Sequence, residues 1–137
     1  MIITIKENPM PAVRMTQKSR FFGQAKKYIS YQIHWATILF DLIKTKPKPL
    51  REGEGVSIAS EPFELTYYFP LTTPLKLDVT FYRKDNRRCD IDNLLKMVMD
   101  LLQKSQIIYN DFQIEEVSCR LVRNSPTPQF IIELSQI

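Results

Sequence analysis

The sequence has little sulfur and almost no imidazole: two cysteines, Cys89 and Cys119, and one histidine, His34, in 137 residues. The cysteines lie far apart and outside any Cys-x-x-Cys spacing, which argues against a zinc site and a disulfide framework and fits a reducing setting. With no second imidazole or paired acid nearby, His34 reads as a structural residue rather than a general base. No apolar run approaches the ~20 residues that a membrane-spanning helix requires. The opening Met1–Pro9 segment lacks the basic start and apolar stretch of an export signal, so a soluble, non-exported, cytoplasmic protein is expected. Internal repeats and low-complexity tracts are also missing.

What is present fits one domain over residues 1–137: 44% hydrophobic residues, enough to bury a core, and a net charge of +4 that leans toward polyanionic partners. Ile2–Lys6 is β-branched and ends before Asn8-Pro9-Met10-Pro11, which predicts a strand and a loop. Apolar residues at Phe22, Ala25, Ile29, Ile33, Ala36, Phe40 and Ile43 predict a long helix with that stripe facing inward and Trp35 as packing. Lys44-Thr45-Lys46-Pro47-Lys48-Pro49 ends that helix, and the stretch to Pro62, with Gly53 and Gly55, predicts an exposed, mobile loop. Phe63–Phe69 and Leu75–Tyr82 read as strands joined by a hairpin turn at Leu71–Pro74. Asp92–Lys104 reads as a second helix, and Glu116–Val122 and Gln129–Leu134 as the last strands. The expected fold is α+β: a small mixed or antiparallel sheet with two main helices packed on it.

The chemistry concentrates in Asp90-Ile91-Asp92-Asn93. On a helical wheel Asp92, Asn93, Lys96, Asp100, Gln103 and Lys104 share a polar arc, opposite Leu94, Leu95, Val98, Leu101 and Leu102. Asp90, two residues before Asp92 where the preceding strand is expected to end, can point to the same side. Two converging carboxylates repel unless a cation lies between them. Mg²⁺ suits such a pair, because it takes oxygen ligands and is often held by one or two carboxylates together with a substrate phosphate. Phosphodiester hydrolysis uses this arrangement, with Lys96 placed to stabilise developing negative charge or to orient a carboxylate. The competing reading is structural: aspartate is a favoured helix cap, and Asp92, Lys96 and Asp100 at four-residue steps make ordinary surface ion pairs. Asp111, beyond the helix, can fold back to join the pair or simply form a turn with Asn110.

The run Asp90–Leu102, followed by Asn110-Asp111 and Glu115-Glu116-Val117, resembles the RusA family of Holliday-junction resolvases, whose pattern is Asp-x-Asp-Asn, then a lysine, an aspartate and an acidic pair opening a strand. The resemblance implies a homodimeric, Mg²⁺-dependent endonuclease, with Mn²⁺ a plausible substitute, that binds four-way DNA junctions by shape and nicks two strands symmetrically in recombination and repair. It implies that Asp90, Asp92 and Asp111 are catalytic metal ligands, that Lys96 is the catalytic lysine, and that Asn93 and Asp100 support them. Association with the nucleoid follows if the chain is bacterial or phage-encoded. Asn110 departs from the pattern where an acid is usual, and Cys89 where a basic residue is common.

Basic residues stand where a DNA backbone would need them. Arg83, Lys84, Arg87 and Arg88 immediately precede the acidic run and would draw phosphate toward carboxylates that otherwise repel it. Arg14, Lys18, Arg20, Lys26 and Lys27 form a second cluster suited to phosphate contacts, or equally a solvated charged loop. Phe21 beside them could wedge against an unstacked base at a branch point or anchor the helix to its core. Two alternatives stay open: a non-catalytic basic DNA-binding module, and a related nuclease acting on flaps or forks. An enzyme nicks a synthetic four-way junction when a divalent cation is added, whereas a binding module shows steeply salt-dependent affinity and leaves the DNA intact in Mg²⁺ or Mn²⁺. Comparing rates on matched junction, flap, fork and linear duplexes separates the nucleases.

Overall fold

The computed structural model describes residues 1–13, 23–45, 48–60 and 68–137. Its strands are β1 (Ile2–Ile5), β2 (Leu50–Gly53), β3 (Val56–Ala59), β4 (Leu75–Tyr82), β5 (Ile114–Val122) and β6 (Gln129–Gln136). Helix α1 spans Gly23–Ile43 and α2 spans Ile91–Lys104. The strands form one mixed sheet in the order β2-β3-β1-β6-β4-β5. All neighbours are antiparallel except β4 and β5, which run parallel because α2 carries the chain back between them. The expected α+β class holds.

Alternation along the strands decides which face is covered. Ile3, Ile5, Leu75, Leu77, Val79, Phe81, Phe130, Ile132 and Leu134 are buried and form the core with residues of both helices. Phe81 and Phe130 pair across strands with ring centroids 6.3 Å apart. The opposite face is polar and held by surface contacts, including Arg120 donating to Asp78 at 3.0 Å.

Three expectations need correction. The segment read as a mobile loop contains the β2–β3 hairpin, with a two-residue turn at Glu54-Gly55. Burial of Val56 and Ile58 fixes it, and Gly55 is required there: its φ is +71°, and a Cβ would come within 3.2 Å of the Trp35 ring. The hairpin predicted at Leu71–Pro74 is not formed: β4 pairs with β5 and β6, while Leu71 makes an isolated parallel bridge to Ile108. Of the predicted strand Phe63–Phe69, residues 63–67 lie outside the described residues, and Tyr68 and Phe69 are not in a strand.

The third correction is the rotation of α1. Its buried residues are Ala25, Tyr28, Gln32, Trp35, Ala36, Leu39 and Leu42, whereas Ile33, expected inside, is 54% exposed. Phe22 lies outside the described residues. The polar Gln32 interrupts the true stripe in sequence, yet it is satisfied in part by donating to the Met97 carbonyl of α2 at 3.1 Å.

Helix α2 follows the expected pattern, with Leu94, Met97, Val98, Leu101 and Leu102 buried, Asp92 in the first turn and Lys104 in the last. After it, Asp111–Gln113 forms a single 3₁₀ turn closed by reciprocal hydrogen bonds: the Asn110 side chain accepts from Phe112 N, and Gln113 accepts from Asn110 N. The buried Gln113 amide also donates to the carbonyls of Leu71 at 2.8 Å and Thr73 at 3.0 Å, tying this turn to the entrance of β4. Replacing it removes both hydrogen bonds, leaving the Leu71 carbonyl with Tyr109 N at 3.1 Å and the exposed Thr73 without its amide donor. Gln113→Ala is expected to destabilise the fold by about 2–3 kcal/mol, read as a lower urea midpoint at unchanged slope.

Candidate active site

Asp90 is reached through the loop 83–89 rather than directly from a strand, since β4 ends at Tyr82. Both ends of that loop are pinned. Arg83 N donates to the Val122 carbonyl and Ser125 N to the Arg83 carbonyl, so the loop starts tied to the end of β5 and the turn after it. Asn124 N donates to Asp85 O, and the Arg123 guanidinium donates to Arg87 O at 2.7 Å and to Cys89 O at 3.4 Å. The sequence reading missed Arg123. Nothing in its local pattern marks it, because its partners are backbone carbonyls 34 and 36 residues away.

Asp90 takes the N-cap position of α2 with extended backbone, φ −83° and ψ 130°. Its backbone carbonyl accepts from the amides of Asn93 and Leu94, but its carboxylate makes no capping hydrogen bond. Among the described residues Asp92 accepts only from the adjacent Asn93 N, at 3.0 Å. Both carboxylates are exposed at the positive end of the helix dipole, which favours them electrostatically. Asn93 is half-buried and its carbonyl accepts from Ala12 N at 2.9 Å, fixing the loop after β1 against the helix start.

Lys96 does not pair with Asp92. Its ammonium contacts Asp100 Oδ1 at 3.1 Å, while Asp100 Oδ2 accepts from the Tyr28 hydroxyl of α1 at 3.1 Å. Burial, and then the Asp100 charge and hydrogen bond, raise the Tyr28 pKa well above the ordinary phenol value.

Asp111 is not brought to the pair within one chain. Parallel pairing sets Ile114, three residues after Asp111, opposite Leu75 at the start of β4, while Asp90 caps the helix that leaves from the other end. The 14 residues of α2 intervene, a length of about 21 Å at 1.5 Å per residue. Among the described residues no group of three or more His, Cys, Asp or Glu side chains could hold one metal ion. Carboxylate oxygens such as those of Asp90 and Asp92 are hard ligands and suit a hard divalent cation rather than a thiophilic metal.

Lys84, Arg87 and Arg88 are exposed around this helix start, Arg87 with Asp85 beside it at 3.7 Å. Arg83 is buried and not part of that surface, with its Nε lacking a partner among the described residues. Lys26 and Lys27 are exposed on α1. Arg14, Lys18, Arg20 and Phe21 lie outside the described residues. His34 packs edge-on against Trp35, with ring centroids 4.6 Å apart.

The sequence profile of the endodeoxyribonuclease RusA family matches residues 8–135, almost the whole chain. This chain belongs to the RusA endodeoxyribonuclease family. No individual curated protein matches it. As a RusA-family protein it is an endonuclease that binds branched DNA and resolves Holliday junctions, and the family's nucleases depend on a metal. No helix among the described residues is long and apolar enough to cross a membrane.

Both departures from the RusA pattern acquire structural explanations. Asn110 caps the 3₁₀ turn that carries Asp111, a task its side-chain oxygen performs as an aspartate's would. Cys89 is buried against the core, whereas Arg87 and Arg88 beside it in sequence are exposed. Because Arg123 holds the loop by two carbonyls, Arg123→Ala is expected to accelerate amide hydrogen exchange over residues 84–90 by roughly three- to tenfold, the loss of about 1 kcal/mol of local stability. Protection in β4 and β6 should stay unchanged in the same experiment.

Proposed function

We propose that this chain works as a homodimer that nicks two opposing strands of a four-way DNA junction symmetrically, with Mg²⁺ as cofactor and Mn²⁺ able to replace it. The observation that carries the reading is the Asp90 carboxylate, which occupies the position where a helix most needs a cap and does not cap. That removes the main support from the structural reading of the acidic run and leaves a charge available for a ligand.

Asp90 and Asp92 would hold the cation at the start of α2. When bound, it supplies positive charge that polarises a phosphoryl oxygen and makes a water molecule a better nucleophile. Lys84, Arg87 and Arg88 contact flanking phosphates and bring the backbone to the carboxylates; Arg14, Lys18 and Arg20 contribute a second set of phosphate contacts, and Phe21 an aromatic wedge at the branch point. Lys96, one turn along from Asp92, places its ammonium to offset charge that builds on the phosphorus oxygens. The site of action is the cytoplasm, alongside the DNA.

Two features support the homodimer. β5 is an edge strand of nine residues with Val117 and Val122 exposed, and Phe112 and Ile91 are exposed near its two ends. Among the described residues nothing pairs with that edge, and an edge of this length is a ready surface for pairing. Asp111 and Asp90 also lie toward opposite ends of that edge, so two-fold antiparallel pairing of two β5 strands carries Asp111 of one protomer toward Asp90 and Asp92 of the other. In this arrangement each site draws on both chains, and the junction's approximate two-fold symmetry is matched.

Asp92→Asn should retain junction binding in Ca²⁺ and lose Mg²⁺-dependent nicking by at least about a hundredfold, as expected when charge stabilisation at the reacting group is removed. Undiminished nicking by this variant sinks the assignment. Mixing inactive Asp92→Asn and Asp111→Asn proteins tests the shared site. Restored single-strand nicking is expected, because one of the two sites in a mixed dimer is then intact. No restoration, with mixed dimers demonstrated by mass, would place all three acids on one chain.

A further inference from the structure

The polar contacts between the helices form a chain with a defined direction. Gln32, only 1% exposed, donates from Nε2 both to the Met97 carbonyl at 3.1 Å and to the Tyr28 hydroxyl oxygen at 3.2 Å. Its amide orientation is forced, since turning it over would set Oε1 against the Met97 carbonyl, which can only accept. That leaves Oε1 without a partner among the described residues, so the orientation is kept at a cost. With both amide hydrogens committed, the Tyr28 oxygen accepts from Gln32, and its single proton is left for Asp100 Oδ2 at 3.1 Å. Asp100 is thereby fixed at one oxygen and presents the other to Lys96 at 3.1 Å.

We propose that Tyr28 is a positioning residue for Lys96, acting through Asp100, with Gln32 orienting its hydroxyl. The inference rests on the reading of Lys96 as the lysine that offsets phosphoryl charge. Lys96 is largely exposed, and an isolated ion pair on a helix surface holds a four-carbon side chain only weakly. What distinguishes this pair is that its acid is fastened to a second helix by a buried phenol. Free rotation of the Asp100 carboxylate is restricted, and the ammonium has one preferred place instead of several. Burial also raises the Tyr28 pKa far above its ordinary value, so the phenol remains a donor throughout the pH range in which a nuclease is assayed. Asp100, with one oxygen on Tyr28 and the other on Lys96, is engaged by protein groups and acts through the lysine rather than as a metal ligand.

A double-mutant cycle on junction nicking tests this. Tyr28→Phe keeps the ring and removes the hydroxyl. It is expected to lower kcat by about tenfold with junction affinity in Ca²⁺ unchanged, and Asp100→Asn should give a similar loss. In a Lys96→Ala background, assayed under single-turnover conditions, Tyr28→Phe should cost less than about twofold, because the residue it positions is gone. Equal losses in both backgrounds overturn the proposal and make Tyr28 a structural residue only. If Lys96→Ala itself nicks at the wild-type rate, the catalytic reading of Lys96 fails, and the proposal with it. Should Lys96→Ala fall below detection, amine labelling of the folded protein decides. Lys96 is expected to react faster in Tyr28→Phe than in wild type while Lys26 and Lys27 are unaffected, and an unchanged Lys96 rate overturns the proposal.

Discussion

Parallel pairing of β4 with β5 is the constraint on which the site depends. Two parallel strands cannot be joined by a tight turn, so the chain leaves the end of β4, crosses back over the sheet as α2 and re-enters beside the start of β4. The crossover sets the buried face of α2 in the core and leaves the acids of its first turn in solvent. It also separates Asp90 from Asp111 by the length of the helix. A single protomer therefore carries Asp90 and Asp111 at opposite ends of one structural unit, which is the observation behind the proposed dimer.

The rest of the structure secures that unit at both ends. At one end Arg123 and Asn124, after β5, hold the backbone of the loop that delivers Asp90. At the other, Gln113 ties the 3₁₀ turn carrying Asp111 to the residues entering β4. Most of these contacts end on backbone groups, so they fix position while leaving the acidic side chains uncommitted. The polar bridge from α1 through Tyr28 to Asp100 adds a third tie, midway along α2.

Much of this was legible in the sequence, and the failures have specific causes. The helix that the acidic run opens was readable because fixed spacing along one helix encodes its buried and its wet face. The α1 stripe was misjudged because Gln32 and Tyr28 look polar in sequence, while their hydrogen bonds to Met97 and Asp100 depend on a helix some 65 to 72 residues later. The β2–β3 hairpin reads as a loop in sequence because its glycines and flanking prolines outweigh two short apolar pairs until Trp35 and the helix cover them. Arg123 and Gln113 act through carbonyls distant in sequence, which no local pattern discloses. The position of Asp111 relative to Asp90 depended on whether the strands run parallel or antiparallel, which periodicity does not encode.

Asp90 stands where two demands on one residue conflict. A serine or threonine at an N-cap commonly tightens the helix by bonding its first free amides, and this aspartate forgoes that bond. The start of α2 therefore lacks a side-chain cap, and the slack is located at the end proposed to receive DNA. Variants selected for thermal resistance alone would be drawn to this position early, and each gain in helix stability there would trade against the charge at the site.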